Sequence, residues 1–295
     1  FDQPKMQRRD LVFVCVALCT SLATALPVGH SPVEAKCLDQ NVTLPGRRAL
    51  IITTSHSKLG LENCTHCKDT GVYGEELTGP YYTFLDSGLQ VTIATIAGGA
   101  VPIDPTYNNS LLRTEFDNRF DHDAVAQAAA HNTKSVADTD FTQFDIIFMA
   151  GGWGAAWDLG TNDALGEKIT QVSMLPDCSH WRQVYANKTQ FLGSVCHGAL
   201  GFIKATKPDG SLLVQGTKMT AVTNRQIEEL GIAKLTPLHP ETELRSLGAD
   251  YECKHGLIDL FENDVVVDGR IITGQNQMAS CEVPQRLMAA LSTLA

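Results

Sequence analysis

Short apolar runs recur along this chain, each stopped by glycine, proline or a polar cluster. Arg48-Ala-Leu-Ile-Ile-Thr-Thr54, Gln90-Val-Thr-Ile-Ala-Thr-Ile96, Phe144-Asp-Ile-Ile-Phe-Met-Ala150 and Phe191-Leu-Gly-Ser-Val195 are rich in β-branched and aromatic residues and show little polar alternation. Such runs predict strands buried on both faces. Lys218-Met-Thr-Ala-Val-Thr223 predicts a fifth strand. Val265–Val267 and Arg270–Thr273 flank Asp268-Gly269, a hairpin signal. Helical patterns lie between the runs: Gly74 to Gly88, Ala124–Ala130, Asp163–Ser173, the small-residue stretch Ala199–Ala205, and a closing helix within Met278–Leu294 whose start Pro284 delays. Strands alternating with helices predict an α/β fold, a mainly parallel sheet sandwiched by helices, with a small β-hairpin near the C-terminus. Sites of such sheets lie at the C-terminal strand ends. The first, third and fourth strands lead into Glu75-Glu76, Gly151-Gly-Trp-Gly154 and Cys196, so one fold would gather all three.

The N-terminus follows a different pattern. Phe1–Lys5 precede Met6, and a basic start with Arg8 and Arg9 leads into Leu11-Val-Phe-Val-Cys-Val-Ala-Leu-Cys-Thr-Ser-Leu22 and then Ala23-Thr-Ala25. A charged start, a short apolar core and a small-x-small site predict a secretory signal over residues 1–25. The apolar run is short for a membrane span, and no later run is longer, so no membrane association is expected once the signal is removed. Residues 26–46 read as an extended lead, and 47–295 as the α/β domain. Secretion changes the meaning of the nine cysteines. Cys15 and Cys19 leave with the signal, and Cys196 is set aside for chemistry. Cys37, Cys64, Cys67, Cys178, Cys253 and Cys281 remain as disulfide candidates in an oxidising compartment. Asn41, Asn63, Asn108 and Asn187 head N-x-S/T sequons and become candidate glycan sites. A formal net charge of −10 without a basic block excludes a nucleic-acid partner.

The chemistry concentrates at Cys196-His197-Gly198. A buried strand that ends on a cysteine and turns at once into a helical stretch places that cysteine at a strained bend. Helix-start N–H groups would then favour the thiolate. No G-x-G-x-x-G follows the first strand and no Walker lysine motif appears, so no nucleotide cofactor is expected. No metal site is expected either. Cys64-Thr-His-Cys67 lacks a second Cys-x-x-Cys, and His56, His66, His122, His131, His180, His239 and His255 show no paired ligand spacing.

Four segments in order, Gly71-Val-Tyr-Gly-Glu-Glu-Leu-Thr-Gly-Pro80, Ala150-Gly-Gly-Trp-Gly-Ala-Ala-Trp-Asp158, Val195-Cys-His-Gly198 and Asp268-Gly-Arg-Ile-Ile-Thr-Gly274, resemble the DJ-1/PfpI superfamily, and within it the Hsp31-like glyoxalase III branch. The resemblance implies a flavodoxin-like, class I glutamine amidotransferase-like fold. It implies Cys196 as nucleophile beside His197, with Glu76 touching the sulfur and Glu75 as fallback. It also implies Glu228, ahead of Glu229, as the acid of a Cys–His–acid triad. Backbone N–H groups of Gly152, Trp153 and His197 would face a developing oxyanion. The implied reaction is cofactor-free conversion of a small carbonyl substrate, an α-oxoaldehyde, to a hydroxy acid. A peptidase or amidase using the same residues, and a catalytically silent secreted matrix glycoprotein, are the competing expectations. A homodimer is implied by the habit of relatives. Trp153 departs from the branch, which often carries histidine there.

Overall fold

A computed structural model describes residues 37–39, 42–61, 64, 67–109, 113–173 and 190–294. The signal segment, most of the lead, Asn41, Asn63, Asn187 and Cys178 lie outside the described residues, and Asn108 is exposed on a short 3-10 turn.

Seven strands form the central sheet: β1 Arg48–Thr53, β2 Gln90–Thr95, β3 Lys134–Ser135, β4 Ile146–Met149, β5 Phe191–Val195, β6 Val265–Asp268 and β7 Ile271–Gly274. Their order across the sheet is β6-β7-β5-β4-β1-β2-β3. Every pair is parallel except β6–β7, the hairpin that turns at Gly269 (φ 56°). The alternation of strand side chains divides the core. Ala49 and Ile51 of β1 join one cluster, while Leu50 and Ile52 join the other. Helices α1 Gly74–Asp86, α2 Glu115–His122 and α3 Ala124–His131 are named here in chain order, followed by α4 Ala155–Asp158, α5 Asp163–Ser173, α6 Asn224–Glu229, α7 Pro240–Ser246 and α8 Glu282–Ser292. Leu77 and Phe84 of α1 and Leu287 of α8 cover the first face; Ile169 of α5 and Leu244 of α7 cover the second. Both faces are therefore dry, as the unbroken apolar runs require. Among the described residues no helix is long and apolar enough to cross a membrane.

Two elements differ from the sequence reading, and the closing helix starts late as expected. The segment expected as a fifth strand pairs only at Lys218–Met219, with Asp250–Tyr251, in a ribbon outside the main sheet. The backbone N–H of Thr220 turns to the Thr273 hydroxyl (2.8 Å), and Thr223 caps α6 through a reciprocal bond pattern with Gln226. The stretch after Cys196 is a 3-10 helix over Cys196–Phe202. Gly198 and Gly201 weaken an α-helix there, and a side chain at Gly201 would collide with Met149. The closing helix starts at Glu282, after a 3-10 turn at Gln277–Ala279, consistent with proline being tolerated only in the first turn.

Disulfides join Cys37 to Cys281 and Cys64 to Cys67. Cys253, expected as a disulfide candidate, carries a free thiol; its sulfur faces a histidine nitrogen instead. The Cys37–Cys281 bridge spans 244 residues, so it restrains a long loop of the unfolded chain. Cys37→Ser is expected to lower unfolding stability by about 2–5 kcal/mol. Urea titrations of the oxidised proteins check this, and addition of reductant should erase the difference.

Candidate active site

The site is assembled at the C-terminal ends of β1, β4 and β5. Val195, the last residue of β5, is extended (φ −132°, ψ 151°), and at Cys196 φ swings to 55°. Cys196 is the one non-glycine residue with positive φ among those described. A side chain held in that region costs about 1–2 kcal/mol, and such strain persists where surrounding packing fixes it. The bend leaves Cys196 buried, 5% exposed as a residue.

Glu76 comes from the first turn of α1. Acidic residues suit a helix N-terminus, but Glu75 and Glu76 are both about 1% exposed, so they face inward. Pro80 offers no N–H to the carbonyl of Glu76, so the turn is not closed in the usual way. The Glu76 carboxyl lies beside the Cys196 thiol and the N–H groups of Gly151 and Gly152, all of which favour its ionised form, while its Oε2 is buried without a hydrogen-bond partner among the described residues. Burial outweighs these neighbours and raises its pKa from 4.5 to about 8. Gly151 and Gly152 are required by this contact. A Cβ at Gly151 would lie 2.6 Å from Glu76 Oε2 and 2.7 Å from the His197 nitrogen. Gly152 sits at φ 85°, against the backbone of Tyr73. Burial, Glu75 and Glu76 together push the Tyr73 phenol well above its ordinary value.

The Cys196 thiol is also pushed well above its usual value, first by burial and then by Glu76, although the N–H groups of His197 and Gly152 pull the other way. This overturns the expectation of a resting thiolate. The following turn is 3-10 and short, and desolvation outweighs its few N–H groups. The resting pair is a thiol beside a carboxyl that can take its proton.

His197 is fully buried, with Nδ1 3.4 Å from the Cys196 sulfur. Burial and then His239 lower its pKa to about 3, so the ring is neutral. Its Nε2 is buried without a hydrogen-bond partner among the described residues. The expected acid does not reach it. Glu228 is exposed on α6, and Glu229 accepts from the backbone N–H groups of Asp259 (3.3 Å) and Leu260 (2.9 Å). On this helix it is Ile227 that enters the core, because the cap at Thr223 sets the helix phase. Trp153 meets His197 edge-on, ring centres 5.3 Å apart, and walls the site with an apolar face. The backbone N–H groups of His197 and Gly152 favour the ionised form of the sulfur; Trp153 contributes its ring. His239, read from sequence as an ordinary histidine, acts on His197 here, and its lone position before Pro240 gave no signal. Asp158 anchors the neighbouring loop, accepting from the Thr54 hydroxyl (2.8 Å) and the N–H of Ser55 (2.7 Å).

A family profile described as ThiJ/PfpI family-like matches residues 67–232, which hold both Glu76 and Cys196. The chain belongs to the ThiJ/PfpI-like family. Within it, the chain is similar to the glutathione-independent glyoxalase hsp3101 of Schizosaccharomyces pombe, 30% identical over 223 residues that cover 72% of this chain and 84% of the relative. Glyoxalase 3 of Candida albicans is 26% identical, with 76% of this chain and 90% of the relative covered. Among solved structures, glyoxalase III from Candida albicans superposes with a TM-score of 0.68 at 25% identity, covering 83% of this chain and 97% of that one. The 24 kDa Rapid Encystment Protein of Francisella tularensis gives 0.69 at 26% identity, covering 83% of this chain and 99% of that one. The fold of this ThiJ/PfpI-like protein is thus that of its family, with its elbow cysteine and helix-borne glutamate in contact.

Proposed function

We propose that this protein is a cysteine-dependent enzyme that converts small α-oxoaldehydes, methylglyoxal first among them, to hydroxy acids. The observation that carries the reading is the contact between the Cys196 sulfur and the Glu76 carboxyl at a strained strand end. The names of the glyoxalase relatives support it. The thiol adds to the aldehyde carbon as its proton passes to the Glu76 carboxylate, which hands it on to the new alkoxide oxygen, giving a neutral hemithioacetal and an ionised Glu76 again. Glu76 then takes the proton from that carbon and returns it to the neighbouring one, leaving a thioester of the hydroxy acid. Water cleaves the thioester and restores the thiol. The buried N–H groups of Gly152 and His197 face the region where negative charge develops. Amide hydrolysis is the poorer reading, because a neutral His197 with a pKa of about 3 is a weak donor to a leaving amine.

Glu76 must be ionised to accept the thiol proton, and its pKa lies near 8. We therefore expect lactate formation from methylglyoxal without added glutathione, with kcat/KM rising about tenfold per pH unit up to about pH 8 and levelling above it. Absence of lactate from folded protein, or a rate that falls across that range, removes the reading. We also propose that the enzyme is secreted. The charged and apolar start of the chain and the Cys37–Cys281 and Cys64–Cys67 bridges support an oxidising compartment. Fractionation of expressing cells, with detection of Asn108 glycosylation by mass spectrometry, tests this.

A further inference from the structure

A second cysteine lies outside the elbow, just after the short strand Asp250–Tyr251. The free thiol of Cys253 has its sulfur 3.1 Å from His255 Nε2. The other ring nitrogen, Nδ1, lies 2.5 Å from Asp259 Oδ2. The Asp259 side chain is fully buried and fixed: its Oδ1 accepts from the Gly256 N–H at 2.9 Å and pairs with Arg225 at 3.2 Å. The Glu229 carboxylate clamps the same turn through the N–H groups of Asp259 and Leu260. Lys254 is held to the sheet end, its N–H donating to Gln275 Oε1 (2.9 Å) and its carbonyl accepting from Gln275 Nε2 (3.1 Å). Nucleophile, base and orienting acid thus sit in line on a braced loop.

The order of the atoms determines what this cluster can do. Burial works against the Asp259 carboxylate, but His255, Gly256 and Arg225 hold it below the usual range, so it is ionised. A carboxylate at Nδ1 places the ring proton there and turns the Nε2 lone pair toward the sulfur. The imidazole lies between the other two groups, so they form a relay and do not converge; among the described residues no group of three such side chains is placed to hold a metal ion. Burial and Glu241 push the Cys253 thiol up, while Arg245 pulls it down through charge and a hydrogen bond. The resting group is a thiol that needs a base, and the base is in contact. Leu257, 95% exposed, and Ile258 lie between His255 and Asp259 in the chain and give the loop an apolar rim.

We infer that Cys253, His255 and Asp259 form a second catalytic site, separate from Cys196, that accepts apolar acyl groups from activated esters or thioesters. The S–H proton passes to His255 Nε2 as the sulfur bonds the carbonyl carbon. The carbon–oxygen (or carbon–sulfur) bond to the leaving group breaks, and that group takes the proton from the imidazolium. The product is an acyl thioester on Cys253 and a free alcohol or thiol. Water, deprotonated by His255, then releases the carboxylic acid and restores the thiol. Arg245, which favours the ionised form of Cys253, is a cation beside the reacting sulfur.

The test uses the full chain carrying Cys196→Ala, so the result is independent of the elbow site. With p-nitrophenyl butyrate we expect a burst approaching one p-nitrophenolate per chain and a butyryl mass on the peptide bearing Cys253. A further Cys253→Ala change abolishes both. His255→Gln, at a side chain 52% exposed and so safe for folding, slows acylation at least about tenfold with thermal unfolding unchanged. Butyryl-CoA replacing the ester should acylate the same residue, which distinguishes thioester from ester use. An unmodified Cys253, acylation unaffected by His255→Gln, or Cys253 recovered in a disulfide with Cys178 overturns the inference.

Discussion

Cys196→Ala and Cys196→Gly are both expected to lose methylglyoxal conversion by about 10³-fold or more, and yet to differ in stability by about 1 kcal/mol in favour of glycine. The activity loss follows from the role of the sulfur: without it no covalent adduct forms, and Glu76 has nothing to hold the substrate against. The difference in stability follows from the backbone. Cys196 sits at φ 55°, where a Cβ is strained and glycine is not. Both variants forfeit the same buried thiol. Glycine also gains entropy when unfolded, which offsets part of the relief. Side-by-side denaturant titrations and lactate assays check the pair. Equal stabilities would mean that the bend is not strained, and retained turnover in either variant would dismiss the covalent route.

The fold was legible because its information is local. Each strand of the central sheet except β3 is an apolar run with punctuation at both ends, and a two-residue edge strand such as Lys134–Ser135 is too short to leave a pattern. The elbow was legible for the same reason, since a buried run stops on Cys-His-Gly. Glu76 was legible only through the family pattern around Pro80, because an acid in a first helical turn ordinarily faces solvent. Three features were not legible. The phase of α6 depends on where Thr223 caps it, and that choice puts Ile227 inside and Glu228 outside. The charge state of Cys196 depends on desolvation, which belongs to the packed structure and not to the neighbours in sequence. Cys253, His255 and Asp259 lie in a loop, where neither the helical nor the strand period applies, so their alignment has no sequence signature.

Glu76→Gln is expected to abolish turnover and to remove a large pH dependence of stability. The folded-state pKa of Glu76 is about 8 against 4.5 for the free group, so between those values the folded protein holds a proton that the unfolded chain releases. Its contribution to stability is complete below pH 4.5 and is lost as pH rises through about 8, at about 1.4 kcal/mol per unit. His197 has the opposite sign. Its pKa falls from 6.5 to about 3 on folding, so its contribution is present above pH 6.5 and is lost as pH falls toward 3. The two slopes cancel between pH 4.5 and 6.5. The wild type should therefore be nearly flat there and lose on the order of 2 kcal/mol between pH 6.5 and 8. Glutamine has no proton to release and keeps the size and the N–H acceptor of the neutral acid. The variant should gain stability with pH up to 6.5 and hold it to pH 8. Its advantage over wild type at pH 8, relative to pH 4.5, is on the order of 4–5 kcal/mol, a large share of the stability of an ordinary domain. Urea unfolding at pH 5, 6.5 and 8 measures it. Parallel curves for the two proteins would show that Glu76 titrates as an ordinary carboxylate. The predicted rise of kcat/KM up to about pH 8 would then lose its physical basis, because the base that takes the thiol proton would already be ionised throughout that range.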